Sequence, residues 1–219
     1  MITDRLVKLQ EFFGAENESL PNARHIYKEK EVSMAHRIVS DDVFLATALE
    51  LFRTYGFEGV SLKRLAEATG LEKASLYYRY PGGKDEIAMA VAKDVVAWFQ
   101  ANIFEPLAAK GPARKRVSFV TERLRNFYSG GSKACLMDVL SIPGGSDELK
   151  LALRGAMQAW VSAFAQVAKD SGLGGATARC RAEEAIVRIE GSLVLARVLG
   201  DTTGFERVLK SLPDLLTVA

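Results

Sequence analysis

The 219-residue chain is poor in the residues that usually carry chemistry. It has two cysteines, Cys135 and Cys180, and two histidines, His25 and His36. Two thiols fit a reducing compartment and make neither a disulfide framework nor a metal-ligand set. Both histidines lie in or near a polar N-terminal stretch. The chain contains no HExxH, CxxC, GxSxG or phosphate-loop spacing, so catalysis is not expected and no cofactor is called for. PGGK and PGGS share glycines with a phosphate loop but not its spacing. Charge of one sign is lacking too. The formal net charge is +2, so only the distribution of charge can point to a nucleic-acid partner. No uninterrupted apolar run approaches the roughly 20 residues of a membrane span. The start, MITDRLVKLQEFF, lacks a secretory apolar core, and the expected location is the cytoplasm.

What is present is helical patterning. Hydrophobic residues make up 48% of the chain, enough for a sizeable core. Residues 1–33 read as a loosely structured extension. An ordered N-terminal arm and translation from Met34 remain alternatives. From Ser40, cap residues and apolar periodicity mark helix after helix. Ser40 caps a helix with Asp41 and Asp42 in its first turn, and Gly56 ends it. Ser61 caps a second helix, Thr69 and Gly70 make a turn, and a third helix anchored by Leu76 reaches about Tyr80. Asp85 and Glu86 open a long helix after PGG. Further helices centre on Val117–Tyr128, ACLMDVLSI, Leu149–Val167, Ile186–Val198 and Phe205–Leu212. Strand-like alternation is absent. The expected fold is all-α, with an N-terminal three-helix helix-turn-helix domain over 34–84 and a second helical domain over 85–219.

Helix, glycine turn, helix over 61–80 is compatible with an ordinary αα-corner. Charge narrows the choice. Lys63, Arg64, Lys73, Arg79 and Lys84 oppose only Glu67 and Glu72 between Val60 and Lys84, a local net of +3, whereas residues 34–90 net −1. A helix entering the major groove needs short side chains near its N-terminus. Lys73, Ala74 and Ser75 meet that need: the lysine for guanine, the alanine for a thymine methyl, the serine for a base edge or phosphate. Ser61 suits a phosphate contact. Tyr78 is expected to face DNA, with Tyr77 and Tyr80 holding the helix to its domain.

The stretch ATALELFRTYGFEGVSLKRLAEATGL, residues 46–71, followed by Leu76 and Tyr77, resembles the DNA-binding domain of the TetR family of bacterial transcriptional repressors. Arg79 stands at the family's usual histidine, where it adds a possible phosphate contact. Tyr80 stands at the usual phenylalanine, and Lys84 at the lysine that typically contacts phosphate. Three residues, Pro81, Gly82 and Gly83, separate aromatic from lysine where two are usual. This junction, with GGSKACLMDVLS over 130–141, resembles the lincomycin-resistance repressor branch (LmrA and YxaF).

The resemblance implies that the second domain binds a small apolar or amphipathic ligand and forms a homodimer that reads a double-stranded DNA operator, with no membrane partner. Trp98, Phe127, Met157 and Trp160 are the expected ligand-lining residues, each also compatible with core packing. The last two large helices are implied to build the dimer interface; the apolar faces of 148–169 and 178–200 are compatible with packing within one subunit or across two, and 178–200 is the segment expected at the interface. Cys135 is expected to be a buried small hydrophobe rather than a redox sensor. The competing reading is a helical protein-interaction module that has lost DNA binding.

Overall fold

A computed structural model describes residues 39–141 and 144–218. The N-terminal extension expected over 1–33, and the start of the first domain at 34, lie outside the described residues. Among the described residues every regular element is helical.

Helix α1 spans Asp41–Gly59. The Ser40 side chain accepts from Val43 N, and Asp41 and Asp42 sit in the first turn, where the dipole favours acids. Gly56, at φ +67°, breaks the helix as the glycine signal predicts, leaving Phe57–Gly59 as a displaced final turn. Helix α2 spans Leu62–Thr69, and Ser61 Oγ accepts from Arg64 N at 3.2 Å. Gly70 then adopts a left-handed conformation, and Leu71 N returns to Ala66 O at 3.1 Å, closing a Schellman-type stop. Helix α3 spans Lys73–Arg79. Phe44, Phe52, Leu65 and Leu76 are wholly buried and hold the three helices together.

Helix α4 spans Gly83–Phe99 and joins the two halves of the molecule. Its entry needs two glycines for different reasons. Gly83 has φ +67°. Gly82 lies against Glu86, whose carboxylate accepts from the Gly82 N–H at 2.7 Å. That reach-back satisfies a free helix-end donor. The α4 axis continues through a π-turn at Gln100–Phe104 into α5, Glu105–Ala108. This 26-residue stretch is long and apolar enough by length and composition to cross a bilayer. Here that apolarity serves the protein core, with Ile87, Val91, Val95, Phe99 and Ile103 buried.

The second half comprises α6 (Ala113–Phe127), a 3-10 turn at Ser129–Gly131, α7 (Leu136–Ser141), α8 (Asp147–Asp170), α9 (Gly175–Leu199) and α10 (Thr203–Leu216). Helix α9 packs chiefly on α8 and α10, and α10 on α6. Ser146 caps α8 by accepting from Leu149 N at 3.2 Å. The interior is aromatic. Trp98 stacks on Phe127 at 4.4 Å, Phe99 meets Trp160 edge-on at 5.1 Å, and Tyr128 meets Phe205 at 5.9 Å.

Candidate nucleic-acid interface and ligand cavity

Helix α3 shows a clear division of faces. Leu76 is buried, and Tyr80, just past its end, stacks on Phe44 at 5.2 Å, as expected of a residue tying the helix to its domain. Lys73, Ala74 and Tyr78 are exposed, and Ser75 is half-buried. Tyr78 is 89% exposed, more than any other large apolar side chain among the described residues. Tyr77, expected to pack inward, is 54% exposed, so two tyrosines and not one stand on the outer face. The reason is the shortness of α3. Seven residues bury one side chain, Leu76, and Tyr80 takes the remaining packing position.

The positive cluster of residues 60–84 is only partly free. Arg64 donates to Gly59 O at 2.9 Å and lies over the Tyr55 ring at 3.8 Å. Lys84 donates to Phe57 O at 2.9 Å, lies 4.1 Å from the Phe57 ring centre, and is 3.7 Å from Glu58. Both cations therefore sit on carbonyls at the end of α1, where the helix dipole favours positive charge. Arg79 donates to Val39 O at 3.0 Å and reaches Asp41 at 3.4 Å, tying the end of α3 to the start of α1. Lys63 forms a loose exposed pair with Glu67 at 3.8 Å. Lys73 makes no ion pair among the described residues. Sequence charge counting registers the net +3 but not this division of labour, because the partners of Arg79 and Lys84 are carbonyls and acids 26 to 40 positions away. The exposed outer surface is thus Ser61 at the α2 N-terminus with Lys73, Ala74, Tyr77 and Tyr78.

In the second half, a cavity of about 480 Å³ opens between α4, α7 and α8. Its lining includes Val95, Phe99 and Phe104 from α4 and the π-turn, Leu136 and Met137 from α7, and Leu153 and Ala156 from α8. The volume is in the range of small-molecule sites. The four residues expected to line a pocket do not line this one. Trp98, Phe127 and Trp160 are buried in the aromatic cluster behind Phe99, and Met157 packs partly buried against the core. The cavity uses the same α4 and α8, one face over. Helix α4 is apolar on several faces, so its periodicity does not distinguish the face toward the core from the face toward the cavity.

Behind α7 lies a buried polar group that sequence reasoning missed. The Tyr128 hydroxyl lies 3.6 Å from Cys135 Sγ. Burial first, and then the nearby Glu190 carboxylate, push the Cys135 thiol up to about 12. A thiol held protonated is a poor nucleophile, in agreement with the expected structural role. Glu190 itself is pushed up to about 7, mainly by burial and further by Asp138, against a thiol hydrogen bond from Cys135 that opposes the rise. Its Oε1 is buried without a hydrogen-bond partner among the described residues.

Three sets of contacts join the two halves along α1. Glu50 pairs with Lys133 at 2.8 Å and with Arg53 at 3.1 Å. Arg53, whose side chain is 3% exposed, lays its guanidinium 4.5 Å from the Phe127 ring centre. At the far end of α1, Gly144 lies so close to Glu58 and Phe57 that a Cβ there would overlap the Glu58 carboxylate. Beside it, Ser146 N donates to Asp85 Oδ1 at 2.8 Å, joining the start of α8 to the first turn of α4.

Comparison with known proteins agrees with this arrangement. Residues 44–91 match the family described as "Bacterial regulatory proteins, tetR family". The chain is 25% identical over 187 residues to the HTH-type transcriptional regulator LmrA of Bacillus subtilis, covering 81% of this chain and 96% of that protein. It is 24% identical over 196 residues to the HTH-type transcriptional regulator YxaF of the same organism, covering 84% and 98%. Among solved structures, a TetR transcriptional regulator from Legionella pneumophila superposes with a TM-score of 0.71 at 21% identity, covering 78% of this chain and 94% of that one.

Proposed function

We propose that this chain is a TetR-family, ligand-responsive DNA-binding regulator of transcription, a reading supported by the match over 44–91 and by the near full-length relatives. It acts as a homodimeric repressor in the cytoplasm, released from a double-stranded operator by a small apolar or amphipathic molecule. The carrying observation is the exposed face of α3. Lys73, Ala74, Tyr77 and Tyr78 project from a helix whose opposite side is anchored by Leu76. Ser61, Ser75, Arg79 and Lys84 complete the interface, the last two by holding α3 and α4 in register on α1 while keeping donors near the backbone of the duplex. The likeness to LmrA and YxaF over nearly their whole lengths supports placement in that branch.

Dimerisation has its own support. Helix α9 buries Ala182, Ala185, Ile189 and Leu193 on one side and exposes Val187, Val194, Leu195, Val198 and Leu199 on the other. An apolar row of this kind on a helix already packed on its other face suits a second copy, and a two-fold dimer presents two α3 helices to half-sites about 34–36 Å apart or a multiple of that.

Release follows from the contacts along α1. The cavity walls α7 and α8 are continuous with the Lys133 and Gly144–Ser146 segments that grip α1 and α4. A ligand that fits the cavity better when those walls are displaced moves α1 and α4 with them, and α3 follows. The equilibrium shifts by the ligand's differential affinity for the two states. Trp98, Phe127 and Trp160 form the wall behind Phe99 that a larger ligand would press on, and Met157 packs partly buried against the core.

The capture of Arg64, Arg79 and Lys84 by the fold gives the interaction-module reading its one point of support. Gel shift with fragments upstream of the protein's own gene and its neighbours separates the readings. Retarded DNA that is released at raised salt, and lost on changing Lys73 and Tyr78 together to alanine, supports the regulator. DNA binding unchanged by that double substitution sinks the assigned surface.

A further inference from the structure

Resting on the reading of the α4–α7–α8 cavity as the effector site, we propose that the effector is an amphipathic anion, an apolar body carrying a carboxylate or comparable acid that pairs with Lys93. The lining is hydrocarbon apart from the Met137 thioether and two polar side chains, Lys93 and Gln100, and it contains no Asp or Glu. Lys93 on α4 and Gln100, the first residue of the π-turn that continues it, are seven positions apart and lie about 10 Å from one another along the axis. Lys93 is exposed and makes no ion pair among the described residues. The Gln100 amide is directed to Glu105 at 3.4 Å. Phe99, Leu136 and Leu153 form the buried floor.

This distribution selects by charge. A cationic ligand meets no counter-charge in the lining and is repelled by the ammonium of Lys93. A neutral ligand gains the apolar surface alone. An anionic ligand gains the same surface and a charge-assisted hydrogen bond to the exposed Lys93, where the acid keeps contact with water and avoids the cost of an unpaired buried charge. Lys93 both lines the cavity and is exposed, so its ammonium stays hydrated and carries little desolvation cost of its own. A second copy of the chain is the other candidate occupant. The concave shape, with walls from three helices and a buried floor, favours a small molecule, and the convex apolar row suited to a second copy lies on α9.

The test uses the full chain, calorimetry and three probes of one chain length kept below micelle formation: dodecanoate, dodecanol and dodecyltrimethylammonium. Dodecanoate is expected to bind at least about tenfold more tightly than the alcohol, with the ammonium weakest. Lys93→Gln should erase the preference for dodecanoate while leaving the alcohol unchanged, and Lys93→Arg should retain it. Equal binding of acid and alcohol, or a preference that survives Lys93→Gln, overturns the charge assignment while leaving the cavity reading intact. Ala156→Phe, which fills the cavity, checks that reading separately. It should weaken all three probes, and unchanged binding of all three shows that they bind elsewhere. Dissociation of a dimer by Ala156→Phe in sedimentation would make the groove a subunit contact and overturn the proposal, as would failure of every probe to bind.

Discussion

Glu190 offers the sharpest test of the interior, because its effect on stability must change with pH. Its carboxyl has an ordinary value of 4.5 and is raised to about 7 in the folded chain, chiefly by burial. The groups around it are the Cys135 thiol, which donates to it, the Tyr128 hydroxyl, and Asp138, which is 3.7 Å from Arg197. Below pH 4.5 the acid is protonated in both folded and unfolded chains and costs nothing. Between 4.5 and about 7 the unfolded chain releases the proton while the folded chain keeps it, so stability falls as pH rises. Above 7 the loss is complete, at about 3 kcal/mol from about 1.4 kcal/mol for each pH unit between the two values. Glu190→Gln mimics the neutral acid. It should leave stability unchanged at about pH 3.5, a unit below the ordinary value, and raise it by up to about 3 kcal/mol at pH 8, or roughly 6–12 °C in Tm for a chain of this size. Thermal unfolding of both proteins at the two pH values, at one fixed protein concentration, measures the difference. An equal effect at both pH values, or a loss at pH 8, would refute the account of Glu190 as a buried acid kept neutral.

Three further outcomes follow from the geometry. Lys73→Ala removes the donor assigned to guanine, so it should cost about 1–3 kcal/mol of operator affinity and relax discrimination at that base pair, with Tm unchanged because the side chain is exposed; unaltered affinity and specificity in gel shifts with operator variants would refute the base contact. Ser61→Ala removes the Oγ that accepts from Arg64 N, and urea titration should show a loss of about 1 kcal/mol, with no loss refuting the cap. Gly144→Ala places a Cβ against Glu58 and requires φ +140° of a residue with a side chain. Glu58 is largely exposed and can swing aside, so the backbone term dominates at about 1–3 kcal/mol, and the damage should extend to ligand release of DNA, read by gel shift.

How far the sequence speaks depends on the range of each interaction. Ser40, Ser61 and Ser146 act within three residues, and Gly56 and Gly70 act on their own φ, so these signals place helix ends directly. The apolar rows place the helices between them. What periodicity does not carry is which of two apolar faces meets a cavity, and Trp98 and Phe99 illustrate it. They are neighbours on α4 with similar side chains, yet Phe99 lines the cavity and Trp98 stacks behind it on Phe127. Arg53 is the opposite failure. A cation in an amphipathic helix normally reads as solvated, and only the arrival of Phe127, some seventy positions later, makes it a buried contact between the two halves.

The two PGG turns show the same limit and what the fold gains from it. In sequence, Pro81–Gly83 reads as a helix stop with one glycine more than usual, and PGGS as an unrelated loop. In the fold they meet. Gly83, at φ +67°, brings α4 in so that Lys84 reaches Phe57 O and stands 3.7 Å from Glu58, while Asp85 accepts from Ser146 N. Gly144 of the second turn closes on the same Glu58. The first turn thus fixes the DNA-facing helices to α4, and the second fixes α8, a cavity wall, to that same point. Within the proposed mechanism, displacement of α8 reaches α3 through Ser146, Asp85 and α4 without any contact between ligand and the DNA-facing residues. Gly83 is therefore a requirement of this connection: a residue restricted to negative φ there would turn Lys84 and Asp85 off the partners that join the two halves.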